Sequence, residues 1–79
     1  MSPYPTNNFY FAAYLLASDV PVMSFEQNTN GRVTFYFEES QQRIECFTNF
    51  TFGQAVVDVQ KFIVAIKRLK SMIHDNVQT

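Results

Sequence analysis

The chain has 79 residues, 47% of them apolar and 16% aromatic, and a formal net charge of −1. That length allows one domain, and a domain so small buries only about 60–65% of its unfolded surface, so its core is marginal alone. The charge balance predicts neither a polyanion partner nor an acidic substrate, and the one cysteine, Cys46, cannot form an internal disulfide, which suits a cytoplasmic setting.

The charge is unevenly spread. Residues 1–58 carry Arg32 and Arg43 against Asp19, Glu26, Glu38, Glu39, Glu45 and Asp58, a balance of −4. Residues 59–79 carry Lys61, Lys67, Arg68 and Lys70 against Asp75, a balance of +3. Net positive charge is therefore confined to the last part of the chain.

Met1 to Pro5 holds two prolines and reads as a flexible arm over residues 1–5. Thr6 can cap a first helix, with Asn7 and Asn8 in its opening turn. Phe9 to Ala17 (FYFAAYLLA) is apolar on every side, which predicts a helix buried on more than one face. The run falls short of the roughly 18 residues needed to span a bilayer. It also lacks the basic flank of a signal peptide. Ser18, Asp19 and Pro21 should end it, since the residue before a proline is pushed out of the helical region.

Val22 to Gln27 reads as a short strand with Met23 and Phe25 on one face. Asn28 to Gly31 (NTNG) is a turn in which Asn-Gly favours positive φ. Arg32 to Glu38 alternates, with Val33, Phe35 and Phe37 on one side and Arg32, Thr34, Tyr36 and Glu38 on the other. The two runs form a β-hairpin with one buried face. Ser40 can cap a short helix over Gln41 to Phe50, with Ile44, Phe47 and Phe50 facing inward. Residues 51–57 connect it to the strongest periodic stretch, Val59 to His74. There Val59, Phe62, Ile63, Ile66, Leu69 and Ile73 share a helical face. Asp58 supplies the cap, and Lys67, Arg68, Lys70 and His74 suit the negative end of the helix dipole. Residues 75–79 are a tail.

The expected fold class is α+β in the order helix, strand, strand, helix, helix (α-β-β-α-α), with the antiparallel hairpin packed against the first and last helices. A lone hairpin has two open edges. Pairing with the same edge of a second copy would give a four-stranded sheet across a homodimer. Tyr10, Phe11 and Tyr14 are expected as interface or deep-core contacts. Tyr36, the ring on the outer side of its strand, joins them as an interface candidate.

Thr-Asn-Asn-Phe-Tyr-Phe-Ala-Ala-Tyr-Leu-Leu (Thr6 to Leu16), then Phe35-Tyr36-Phe37-Glu38-Glu39, Phe52-Gly53 and Val57-Asp58 lead into Phe62, Ala65, Leu69-Lys70 and Ile73. With these residues the chain resembles a family of small prokaryotic and phage-associated domains catalogued as a domain of unknown function. The likeness covers nearly the whole chain and departs at Gln54-Ala55, where the family is more polar. It implies the same element order and brings no catalytic residues.

Few residues suggest chemistry. Cys46 and His74 are far apart in the chain, and a nucleophile needs a base beside it. One histidine and one distant cysteine are not a metal site. Glu38, Glu39 and Glu45 read as a strand end leading into a cap rather than as paired acid–base carboxylates. GRVTFYF (Gly31 to Phe37) faintly resembles an RNA-stacking strand, but its phenylalanines share the core face. The expected function is a non-enzymatic protein-interaction module, self-associating, without cofactor, metal or membrane anchor. The alternative is a small nucleic-acid-associated regulator contacting phosphates through Lys61, Lys67, Arg68 and Lys70.

Overall fold

The computed structural model describes residues 3–77, with side chains through His74. The elements are β1 (Tyr4–Thr6), α1 (Phe9–Ala17), β2 (Val22–Gln27), β3 (Val33–Phe37), α2 (Gln41–Thr51) and α3 (Val59–Val77). The fold is α+β, as expected. Helix α3 continues through Val77, so a tail beginning at residue 75 does not hold there.

The flexible arm expected over residues 1–5 is corrected from Tyr4 onward. Tyr4–Thr6 pairs antiparallel with β3, Tyr4 opposite Phe37 and Thr6 opposite Phe35. Met1 and Ser2 lie outside the described residues. The sheet order is β1-β3-β2, so β3 is central. Edge strands carry a ladder on one side only, which is where proline is tolerated, and Pro5 sits in one. The edge that a hairpin alone would leave open on β3 is therefore filled from within the chain. Three strands per copy also mean that joining two copies edge to edge would give six strands rather than four.

Both outer edges carry features that discourage such joining. Strand β1 has Pro5 and only 3 residues. Strand β2 has a register irregularity between Val22 and Ser24. A proline and a bulge are two of the devices that blunt an edge.

The hairpin turn spans Asn28 to Arg32. Gly31 takes φ 85°, its N–H donates to the Asn28 carbonyl, and the Asn28 N–H donates to the Arg32 carbonyl at 2.7 Å. Phe35 and Phe37 are buried, and the Phe35 ring is 6.3 Å from both Phe9 and Phe25. This is the face that the alternation of β3 predicts.

Helix α1 is capped by Asn8, whose side chain accepts from the Phe11 N–H at 3.1 Å. Thr6, the expected cap, is in β1 instead, and its hydroxyl accepts from the Asn8 N–H. The helix stops at Ala17, four positions before Pro21. Val20 N–H donates to the Leu15 carbonyl and Asp19 N–H to the Leu16 carbonyl, with Asp19 at φ 66°. This is the Schellman pattern with a left-handed residue after the cap, and Leu15 and Val20 both end in the core. A side chain with a Cβ is strained there, so Asp19→Gly is expected to stabilise by about 0.5–1 kcal/mol. Thermal unfolding checks it; an unchanged or lower Tm would contradict this account of the stop.

Helix α2 ends the same way. Gly53 N–H donates to Phe50 and Gln54 N–H to Asn49, with Gly53 at φ 69°. Its start is Ser40, as expected, with the side chain accepting from Arg43 N–H at 3.1 Å. Asp58 caps α3, also as expected, accepting from Lys61 N–H at 3.0 Å. Asp58→Ala should cost about 1 kcal/mol through that cap. Calorimetry should then record a fall in Tm of roughly 4–8 °C.

Candidate functional site

Helix α1 is the middle of the molecule. Phe11, Ala12, Ala13, Tyr14, Leu15 and Ala17 are all buried. One side meets α2: Phe11 lies 5.9 Å from Phe47 and 5.0 Å from Phe50, and Tyr14 stacks on Phe50 at 6.0 Å. Another side meets α3, with which α1 shares more contacts than with α2. Most of the apolar surface of α1 is thus covered inside one copy. Of the four aromatic interface candidates, Phe11 and Tyr14 are core residues. Tyr10 is 62% exposed. Tyr36 is half-buried on the outer sheet face, its hydroxyl 3.5 Å from the Glu26 carboxylate. Burial, and next the neighbouring Cys46, push the Tyr14 phenol up, so it stays neutral.

Helix α2 does not face inward through Ile44, and Phe47 does so only in part, one edge of its ring on Phe11 and the rest in water. Its buried residues are Arg43 and Cys46, while Ile44 and Phe47 are exposed and Phe50 sits at the margin. The reason is a contact that the pattern of apolar residues does not carry. Arg43 Nε and Nη2 each donate to Glu39 at 2.7 Å, and its guanidinium lies 3.9 Å above the Tyr4 ring. The fork and the ring turn Arg43 toward β1, and the helix rotates with it. The one visible sequence signal was the Glu39/Arg43 spacing of four.

The hydrogen bond from Arg43 holds the Glu39 carboxyl below the usual carboxylate range, opposed by a smaller desolvation effect. A depressed folded value contributes stability that is complete above the unfolded glutamate value and fades as pH falls through the folded one. Glu39→Gln is therefore expected to flatten the acid limb of the stability curve below the ordinary glutamate range. Urea midpoints measured from neutral pH downward test this; an unaltered acid limb would refute it.

Helix α3 is also turned from its expected setting. Ala65 and Leu69 are buried, with Phe62, Ile66, Met72 and Ile73 packed beside them. Val59 is 68% exposed, and Ile63 is exposed too. The buried arc has moved toward Ala65 and Met72. Lys61 and Arg68 consequently lie at its edge beside α1. There a shallow groove of about 290 Å³ is lined by Leu16, Ala17, Asp19, Lys61, Val64, Ala65 and Arg68, with Gln60. It continues past Arg68 to Val20, Pro21 and Val22. Lys67 and Lys70 are exposed but line neither stretch. Leu16, Ala17, Asp19 and Val64 were not legible as site residues, because the groove exists only where α1 crosses α3.

Apolar side chains are also open to solvent between α2 and α3. Phe52 is 73% and Val56 88% exposed. Cys46 is a buried free thiol. Among the described residues no group of three or more His, Cys, Asp or Glu side chains could hold a metal ion. No helix among them is long and apolar enough to cross a membrane.

These features define a small α+β domain whose described surface includes exposed apolar side chains and a groove flanked by Lys61 and Arg68. The chain belongs to the family described as Domain of unknown function (DUF5659), which matches residues 1–75. No curated protein and no solved structure matches the chain.

Proposed function

We propose that this chain is a non-enzymatic protein-interaction module that self-associates, acting in the cytoplasm of a prokaryote or in a phage setting. The observation that carries the reading is the exposure of large apolar side chains from Ile44 through Phe47, Phe52, Val56 and Val59 to Ile63. Apolar surface that a monomer leaves open marks an interaction site more often than a catalytic one. Self-association is assigned to this helical surface rather than to the sheet, because Pro5 and the irregularity in β2 blunt both edges.

Sedimentation equilibrium over a wide concentration range, at low and high salt, tests the proposal. The expected result is a dimer insensitive to salt, dissociated by Phe47→Glu or Val59→Glu. A monomer at every concentration would overturn self-association.

The second reading is a small nucleic-acid-associated regulator. It is favoured by the exposure of all four cations Lys61, Lys67, Arg68 and Lys70 on one helix. It requires duplex binding that weakens with salt and with replacement of Lys67, Arg68 and Lys70 by Gln. Binding indifferent to both changes would eliminate it.

A further inference from the structure

We propose that the groove between α1 and α3 receives an acidic amphipathic helix of a partner protein. This rests on the reading of the chain as an interaction module and names the chemistry of one partner. The floor is apolar and low, formed by Leu16, Ala17, Val64 and Ala65. Ala17 and Ala65 are buried where α1 meets α3, which keeps the floor low, and Val64 stands 53% exposed above them. Lys61 and Arg68 flank this floor. Among the described residues neither has a carboxylate at ion-pair distance.

The two cations are seven positions apart, about two helical turns or 10.5 Å along α3. A helix lying along α3 repeats at the same pitch. It meets both cations with carboxylates seven residues apart and Val64 with an apolar residue midway between them. Asp19, at the α1 end, adds an opposite charge. It repels a continuous polyanion and favours a partner whose sequence turns from acidic to basic at that end. This distinguishes the groove from a phosphate track, where each added negative charge would weaken binding.

The test is titration of the isotope-labelled full chain with a capped helical peptide of about 15–20 residues, long enough to hold helix. The peptide carries Glu at two positions seven apart with Leu at the third and fourth positions between them. Amide shifts are expected at Leu16, Ala17, Val64 and Ala65. Combined Lys61→Gln and Arg68→Gln should weaken the complex about tenfold. Val64→Glu should abolish it, and since this side chain is largely exposed the protein should stay folded. A peptide with Lys in place of Glu should not bind. Absence of binding, equal binding of the Lys peptide, or shifts confined to α2 would overturn the groove proposal. None of these outcomes alters the sedimentation result, so the self-association reading stands or falls separately.

Discussion

Phe37→Ala is expected to bring the protein to the edge of unfolding at 37 °C. Phe37 is fully buried at the centre of the sheet, opposite Tyr4 in β1 and Val22 in β2. Removing a buried phenylalanine ring costs about 3–5 kcal/mol, part in lost transfer energy and part in the cavity left behind. A small domain has roughly 5 kcal/mol in total, the low end of the usual range. Phe37 sits between two strands and belongs to the same core cluster as Phe11 and Leu15 of α1, so the site has little freedom to collapse. Chemical denaturation with far-UV detection measures the loss. Phe37→Leu, which keeps most of the volume, should recover much of it. Phe52→Ala, at a side chain mostly in water, should change little. A Phe37→Ala protein that melts near the parent temperature would mean that the sheet is not the floor of the core.

Arg43→Ala is the second large effect expected. Arg43 is 8% exposed, although it is a charged residue on a surface helix. Its guanidinium stacks on Tyr4, and its stem is buried on the same side of α2 as Cys46. The stacking contributes about 1 kcal/mol, and loss of the stem's packing adds a similar amount, so roughly 2 kcal/mol should be lost. The pair with Glu39, partly open to water, adds a smaller part, the one that fades at acid pH. Arg43→Lys keeps the charge but loses the fork and the flat face, so it should recover less than half of the loss. The distinctive readout is local. Hydrogen exchange should accelerate at Thr6 in β1 well before it does in β2, because Arg43 and Phe11 are what hold the Tyr4 ring. Uniform acceleration across the sheet would show that Arg43 acts only through general stability.

The two predictions divide along the line between what was legible in the chain and what was not. The Phe35/Phe37 face could be read from strict alternation over a few residues. Arg43 as a buried anchor could not, because Tyr4 lies 39 positions earlier in a segment whose prolines suggested an arm. The same holds for the groove. Lys61 and Arg68 were visible as cations, but their place beside Leu16 and Ala17 depends on how α3 is rolled against α1.

The sequence by itself determined most features that depend on neighbours within one turn or one strand. The cap of α1 is excepted, because pairing with β3 takes Thr6 into β1 and leaves the cap to Asn8. The others are the caps at Ser40 and Asp58, the Asn-Gly turn, the alternation of β3, and an apolar α1 that had to be surrounded. Each is decided by side chains reaching backbone groups a few residues away. The tertiary structure alone decided the third strand, the inward turn of α2 through Arg43, the roll of α3 toward Ala65, and the groove. Those choices come from competition between surfaces far apart in the chain. An apolar stripe wider than its partner can be buried along either margin. The margin chosen here is the one that packs Ala65 and Leu69 against α1, leaving Val59 and Ile63 in water.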